Sequence, residues 1–149
     1  MAWTNIDEDD VLTVVSHAEL TAFRSTSLRP SSSSSSAQAD PLAPVIAQVV
    51  DLVRGYVAAH RRNRMGAAGT VPARLLPVAL DLIAIRIGSR VGKGPEEVRA
   101  KQRDNAMSIL EKVAAGQYGV DQPDGSEADP LPSIEARDRQ FRADQQDGI

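Results

Sequence analysis

Leu42-Ala43-Pro44-Val45-Ile46-Ala47-Gln48-Val49-Val50-Asp51-Leu52-Val53-Arg54-Gly55-Tyr56-Val57 decides the fold. Leu42, Val45, Ile46, Val49, Val50, Val53, Tyr56 and Val57 recur at i, i+3, i+4, i+7 spacing, which puts them on one face of a helix. Gln48, Asp51 and Arg54 are expected on the opposite face. Asp40-Pro41 reads as N-cap followed by N1, so the helix is predicted from Asp40 to about Asn63. Gly55 weakens it locally but permits close approach of another helix.

Downstream lies the basic loop Arg61-Arg62-Asn63-Arg64-Met65-Gly66-Ala67-Ala68-Gly69. A second helix is predicted over Thr70 to Ser89, opening at Val71-Pro72. Its apolar positions Leu75, Leu76, Val78, Ala79, Leu80, Leu82, Ile83, Ile85 and Ile87 leave little polar surface. A helix apolar nearly all round belongs at the centre of a bundle or under other subunits. Gly92-Lys93-Gly94-Pro95 breaks the chain. A third helix is predicted over Pro95 to Ala115, with Glu96 and Glu97 in its first turn and a sparser stripe of Val98, Met107, Leu110, Val113 and Ala114. Gly116 ends it.

Upstream, the acidic run Asp7-Glu8-Asp9-Asp10 favours a helix start, where the macrodipole is positive. It predicts a short helix over residues 7–15. Ser16-His17-Ala18-Glu19 has the form of a capping box and predicts a second short helix through about Arg24, burying Leu20 and Phe23. Residues 25–39 are Ser-rich, with six serines in a row at Ser31–Ser36, and too poor in apolar side chains to order themselves. After Gly116 the chain is acidic and rich in Gly, Pro, Asp and Gln, with apolar anchors at Val120, Leu131, Ile134 and Phe141; Ser133 to Gln145 could form a short helix on binding.

The expected architecture is all-α, a small bundle of about four to five helices. Its parts are short N-terminal helices (1–24), a flexible Ser-rich loop (25–39), a helical core (40–116) and an acidic, extended C-terminal arm (117–149). Composition agrees. Only five of 149 residues are aromatic, so Ala, Val, Leu and Ile must build the core, which suits close-packed helices better than a β-sandwich. There is no cysteine, hence no disulfide framework and no thiolate metal site. The N-terminus lacks the basic and apolar regions of a signal peptide. No uninterrupted apolar stretch reaches the ~18 residues of a membrane span, and no membrane association is expected.

The net charge of −3 conceals an asymmetry. Residues 1–40 hold 6 acids and 2 bases, residues 41–115 hold 6 and 12, and residues 116–149 hold 8 and 3. A basic body between acidic ends suits docking on copies of itself as well as ordinary solvation.

No chemistry accompanies this scaffold. Gly88-Ser89-Arg90-Val91-Gly92-Lys93-Gly94 superficially resembles a phosphate loop, but its glycines are one residue too close and Gly94 stands where Ser or Thr would hold magnesium. His17 and His60 fall on separate helices, without a partner at metal-ligand spacing. No nucleophile elbow or triad pattern is present, so neither enzyme activity nor a cofactor is expected. Arg61, Arg62 and Arg64 could meet phosphates, but the interleaved aromatics of single-strand binders are missing. They also suit the negative end of the preceding helix.

Three blocks together resemble the head–tail connector (adaptor) family of Mu-like tailed bacteriophages. The first is Thr4-Asn5-Ile6-Asp7-Glu8-Asp9-Asp10-Val11-Leu12 with Ala18-Glu19-Leu20. The second is Val45 to Val57, the basic loop, Val71-Pro72 and the apolar helix from Leu75 to Arg86. The third runs from Glu96-Glu97-Val98-Arg99 to Ile109-Leu110-Glu111-Lys112-Val113-Ala114-Ala115-Gly116. The resemblance covers about residues 4–120 and rests on order and spacing.

It implies a virion structural protein at the head–tail junction, assembled in the host cytoplasm. Such subunits form a ring below the portal, twelve copies if it matches a portal ring, extending the DNA channel towards a tail-side terminator or stopper protein. Contact with packaged DNA would be passive. Arg61, Arg62 and Arg64 are then expected at a subunit interface or facing the channel. Leu131, Ile134 and Phe141 are expected to anchor the arm on the portal or a neighbouring subunit. The serine loop and the acidic stretch 121–149 depart from the family pattern. The alternatives are a small helical DNA-binding or regulatory protein, and a tail terminator or completion protein, which would need β-structure.

Overall fold

A computed structural model describes residues 3–27, 40–92 and 95–123. Two short helices lead, α1 (Glu8–Leu12) and α2 (His17–Ser27), followed by three long ones, α3 (Leu42–Ala59), α4 (Leu76–Val91) and α5 (Glu96–Ala114). Two dipeptide strands, β1 (Trp3–Thr4) and β2 (Val71–Pro72), pair antiparallel with Trp3 opposite Pro72 and Thr4 opposite Val71. Among the described residues the protein is an all-α bundle with one small ribbon.

Helix starts follow the sequence. The Glu19 amide donates to Ser16 Oγ at 3.3 Å and the Ser16 amide donates to Glu19 Oε2 at 3.1 Å, the reciprocal pair of a capping box. An equivalent pair joins Asp7 and Asp10 ahead of α1. α1 stops at Leu12, short of the predicted residue 15, because Thr13 Oγ1 and the Thr13 amide both turn back to the Asp10 carbonyl. α2 runs three residues past Arg24. Ser25 and Thr26 bond back to the Ala22 carbonyl, so these polar side chains continue the helix instead of starting the loop.

α4 is the central element, as its composition requires. It packs against α1, α2, α3 and α5, and buries Val78, Ala79, Leu80, Leu82, Ile83 and Ile87. α3 contributes Leu42, Val45, Val49, Val50, Val53 and Val57, and α2 contributes Leu20 and Phe23. Each of the buried Val, Leu, Ile and Phe side chains contributes about 1.5–3 kcal/mol of transfer free energy. No polar or charged residue is buried among the described residues, so the core is wholly apolar.

The core helices also differ from expectation at several points. α3 ends at Ala59, not near Asn63: His60 is extended (φ −94, ψ 117), and Asn63 Nδ2 donates to the Val57 carbonyl, capping that end. Its N-cap position is Pro41, but Asp40 still accepts from the Leu42 amide at 3.1 Å. Val71-Pro72 is strand, not helix. The residue before proline avoids the α region, so the chain pairs with β1 and turns helical only after a short 3-10 segment, Ala73–Leu75. Pro77 then sits in the first turn of α4, where its missing N–H costs no helical bond. Val98 is not part of the core: it is 50% exposed, and α5 is buried only through Ala106, Leu110 and Val113.

α5 closes in a Schellman arrangement. Gly116 takes φ +73, its amide donates to the Val113 carbonyl, and the Gln117 amide donates to the Lys112 carbonyl. The chain then turns back along the bundle towards β1.

Candidate functional site

Three stretches far apart in sequence meet at one corner: β1, the loop 60–70 with β2, and residues 116–122. Arg54, in the fourth turn of α3, organises it. Its Nη1 donates to the carbonyls of Ala67 (2.7 Å) and Thr70 (2.8 Å), and its Nη2 to Gly66 (3.2 Å). The same guanidinium lies 5.5 Å from the Trp3 ring centroid. The periodicity placed Arg54 on the solvent face. Instead, its donors satisfy loop carbonyls that the ribbon leaves unpaired, which a long planar guanidinium can do and a shorter side chain cannot. Gly66 is the close-approach position, because a Cβ there would run into the Trp3 ring.

The root of the C-terminal arm is built into this corner. Trp3 Nε1 donates to the Asp121 carbonyl at 2.9 Å. The Asp121 carboxylate accepts from the Arg74 amide at 3.2 Å and pairs with Arg74 Nε at 3.4 Å. The Arg64 amide donates to Gln122 Oε1, and Val120 packs on the core. Gly116 lies against the His60 ring, where any side chain would collide. His60 is half-buried at the edge of the apolar stripe, as its position four residues after Tyr56 suggests, and its Nδ1 has no hydrogen-bond partner.

The predicted arginines divide. Arg61 and Arg62 are exposed beyond the end of α3, whereas Arg64 is half-buried in the corner. Leu131, Ile134 and Phe141 lie outside the described residues, as does most of the Ser-rich loop. Sequence reasoning passed over Trp3, Arg54, Arg74 and Asp121. Only Trp3 carried a signal, as the single tryptophan of an aromatic-poor chain.

A second arginine ties the opposite corner. Arg24 forms a two-point contact with Glu8 (Nη1–Oε1 3.0 Å, Nη2–Oε2 2.8 Å) and another with Asp40 (Nε–Oδ1 3.2 Å, Nη2–Oδ2 2.6 Å). It joins α1, α2 and the start of α3 across the Ser-rich stretch. These hydrogen bonds hold both carboxyls below the usual carboxylate range and raise the already high Arg24 pKa.

Between α3 and α5 runs an open groove of about 410 Å³, lined by Asp51, Leu52, Gly55, Tyr56, Ala59 and Ala114. By length and composition alone α3 would suffice to cross a membrane (mean hydropathy 1.4), a property that core helices share and that the run-length criterion did not flag. No group of three or more His, Cys, Asp or Glu side chains that could hold a metal occurs among the described residues.

The family described as Bacteriophage Mu, Gp36 matches residues 6–136, most of the chain. No curated protein matches, and no solved structure matches.

Proposed function

The chain belongs to the bacteriophage Mu Gp36 family, and from this premise we propose that it is a head–tail connector subunit. Copies form a ring, twelve to match a portal, below the portal and above a tail-side terminator or stopper protein. The ring prolongs the DNA channel, and the arm beyond Pro123 reaches out of its own domain to the portal or a neighbouring subunit through Leu131, Ile134 and Phe141.

The observation that carries this reading is the anchorage of the arm root. Trp3, Arg64 and Arg74 grip Asp121 and Gln122, so the arm starts from a fixed point. A tether that only needed length would gain nothing from such a grip. A docking arm does gain, because fixing its origin lowers the ordering cost paid on binding. Arg61 and Arg62 project beside that point, where they can face the channel or a neighbour.

Complementation of a phage lacking this protein tests the proposal. With residues 124–149 deleted, filled heads are expected to accumulate without joined tails. Normal titre from that variant would refute the role of the arm. Charge reversal at Arg61 and Arg62 is expected to reduce DNA retention or assembly. A DNA-binding or regulatory role would instead show salt-dependent DNA affinity of the isolated chain.

A further inference from the structure

The described residues leave part of the apolar surface of α3 open. Its mean hydropathy is 1.4, and 33% of it is buried among them. The α3–α5 groove is walled by the half-buried Leu52 and Tyr56 and the exposed Ala59, with Ala114 across from them, and Asp51 is its one charged lining residue. Gly55 has no described atom within 4 Å of where its Cβ would stand, so the floor has room for an occupant.

The chain beyond Pro123 carries an occupant of matching character. Leu131, Ile134 and Phe141 are large apolar residues in a polar stretch, and their spacing of three and seven puts them on one face of a helix. The family match runs to residue 136 and takes in Leu131 and Ile134, so this stretch belongs to the unit that the family shares.

The origin of the arm lies within reach. Asp121 and Gln122 are held at the corner that Arg54 organises, and Arg54 immediately precedes Gly55. Successive helical residues are about 100° apart, so the corner and the groove occupy adjoining faces of a helix ~10–12 Å across. The eight residues from Pro123 to Leu131 span up to ~26 Å, enough to round that helix with slack. A tether this short holds the segment at an effective concentration of about 1 mM, well above that of a free second copy at micromolar levels.

We propose that in the free chain the arm folds back on its own domain and seats Leu131, Ile134 and Phe141 in the α3–α5 groove. Apolar burial drives the contact. Charge neither drives nor opposes it: Arg137, Arg139 and Arg142 accompany Glu135 and Asp138 on the segment, Asp129 and Asp144 flank it, and Glu111 and Lys112 lie within a turn of Ala114 beside the groove acid Asp51. The groove is thereby shielded until the arm leaves it for another partner. The inference concerns the free chain, and its failure would leave the connector reading standing.

The chain has no cysteine, so one introduced thiol reports on the groove. In the full chain carrying Gly55→Cys, that thiol is expected to react with a maleimide about tenfold more slowly than in the same chain with Leu131→Ser, Ile134→Ser and Phe141→Ser added, the ratio of an effective concentration of ~1 mM to a dissociation constant of ~0.1 mM. Ala43→Cys, exposed near the start of α3 and outside the groove lining, is expected to react equally fast in both backgrounds. The protection is expected to persist on dilution from about 100 to 1 μM, as a tethered contact requires. Equal rates at Gly55→Cys with and without the three apolar residues overturn the proposal. Protection lost on dilution also overturns it, because the occupant would then be the arm of a second copy. Should Gly55→Cys lower the thermal stability of the bundle, Ala59→Cys, exposed on the same wall, makes the same measurement.

Discussion

Arg24 and Arg54 perform the same mechanical task at opposite corners, and they do it with different chemistry. Each guanidinium fastens segments that the local sequence would leave apart. Arg24 does so through two carboxylates, Glu8 and Asp40, all partly exposed, with side-chain accessibilities of 29%, 44% and 41%. Arg54 does so through three neutral carbonyls and the face of Trp3. The first tie responds to pH and salt, because solvent screens its charges and protons compete for its acceptors. The second has no titrating acceptor. The Arg54 tie is therefore the less pH- and salt-sensitive of the two, although the same corner also holds the Arg74–Asp121 ion pair.

The largest expected effect comes from breaking the carbonyl tie. Arg54→Leu removes the guanidinium bonds to the Ala67, Thr70 and Gly66 carbonyls, of which Ala67 keeps its Thr70 donors, and is expected to cost about 2 kcal/mol, since a hydrogen bond from a charged donor contributes ~1.5–3 kcal/mol where solvent is excluded and less where it is not. Amide hydrogen exchange should rise through residues 63–72, with the α4 core unchanged. If exchange rose equally in α4, the corner would not be a separate unit.

Gly66→Ala tests the same corner by sterics. Its Cβ would displace the Trp3 ring, so about 1–2 kcal/mol of destabilisation is expected, with a shift in tryptophan fluorescence. An unchanged emission spectrum would contradict the packing described. Asp121→Ala sharpens the link to the arm. The side chain loses its Arg74 contacts but the backbone acceptor of Trp3 remains, so a smaller loss of about 0.5–1 kcal/mol is expected by urea unfolding.

The smallest effect belongs to Arg24→Met at neutral pH, a Tm decrease below that of Arg54→Leu. Its pH dependence carries the comparison. The folded-state pKa values of Glu8 and Asp40 are depressed, so the stability they contribute is fully present above their unfolded values near 4 and is lost as pH falls through the folded ones. The Tm difference between wild type and Arg24→Met should thus shrink as pH drops below about 4, while that of Arg54→Leu should not. Parallel behaviour of the two variants would erase the distinction.

Much of this architecture is legible in the sequence because it is periodic or local. The stripe from Leu42 to Val57 and the nearly all-apolar helix from Leu75 to Ile87 report their packing through spacing, and Ser16–Glu19 and Gly116 report helix ends through residue type. The corner is not periodic. Trp3 meets Asp121 across 118 positions, and nothing near either residue signals the other. Arg54 follows helical periodicity onto a polar face, and its inward role appears only once the loop brings its carbonyls within reach. Val98 shows the converse error: an apolar residue in step with a stripe, but on a part of α5 that no helix among the described residues covers. Periodicity carries the first helix on to about Asn63, past its true end at Ala59, and nothing in the sequence separates Arg64 from Arg61 and Arg62 as the structure does.

The connector role itself is tested most directly by tracing this chain in cryo-electron microscopy density of the intact virion neck. The account predicts a ring of copies between portal and tail, with each arm leaving its domain at Pro123 and contacting the portal or the next subunit. A neck without this chain would contradict it.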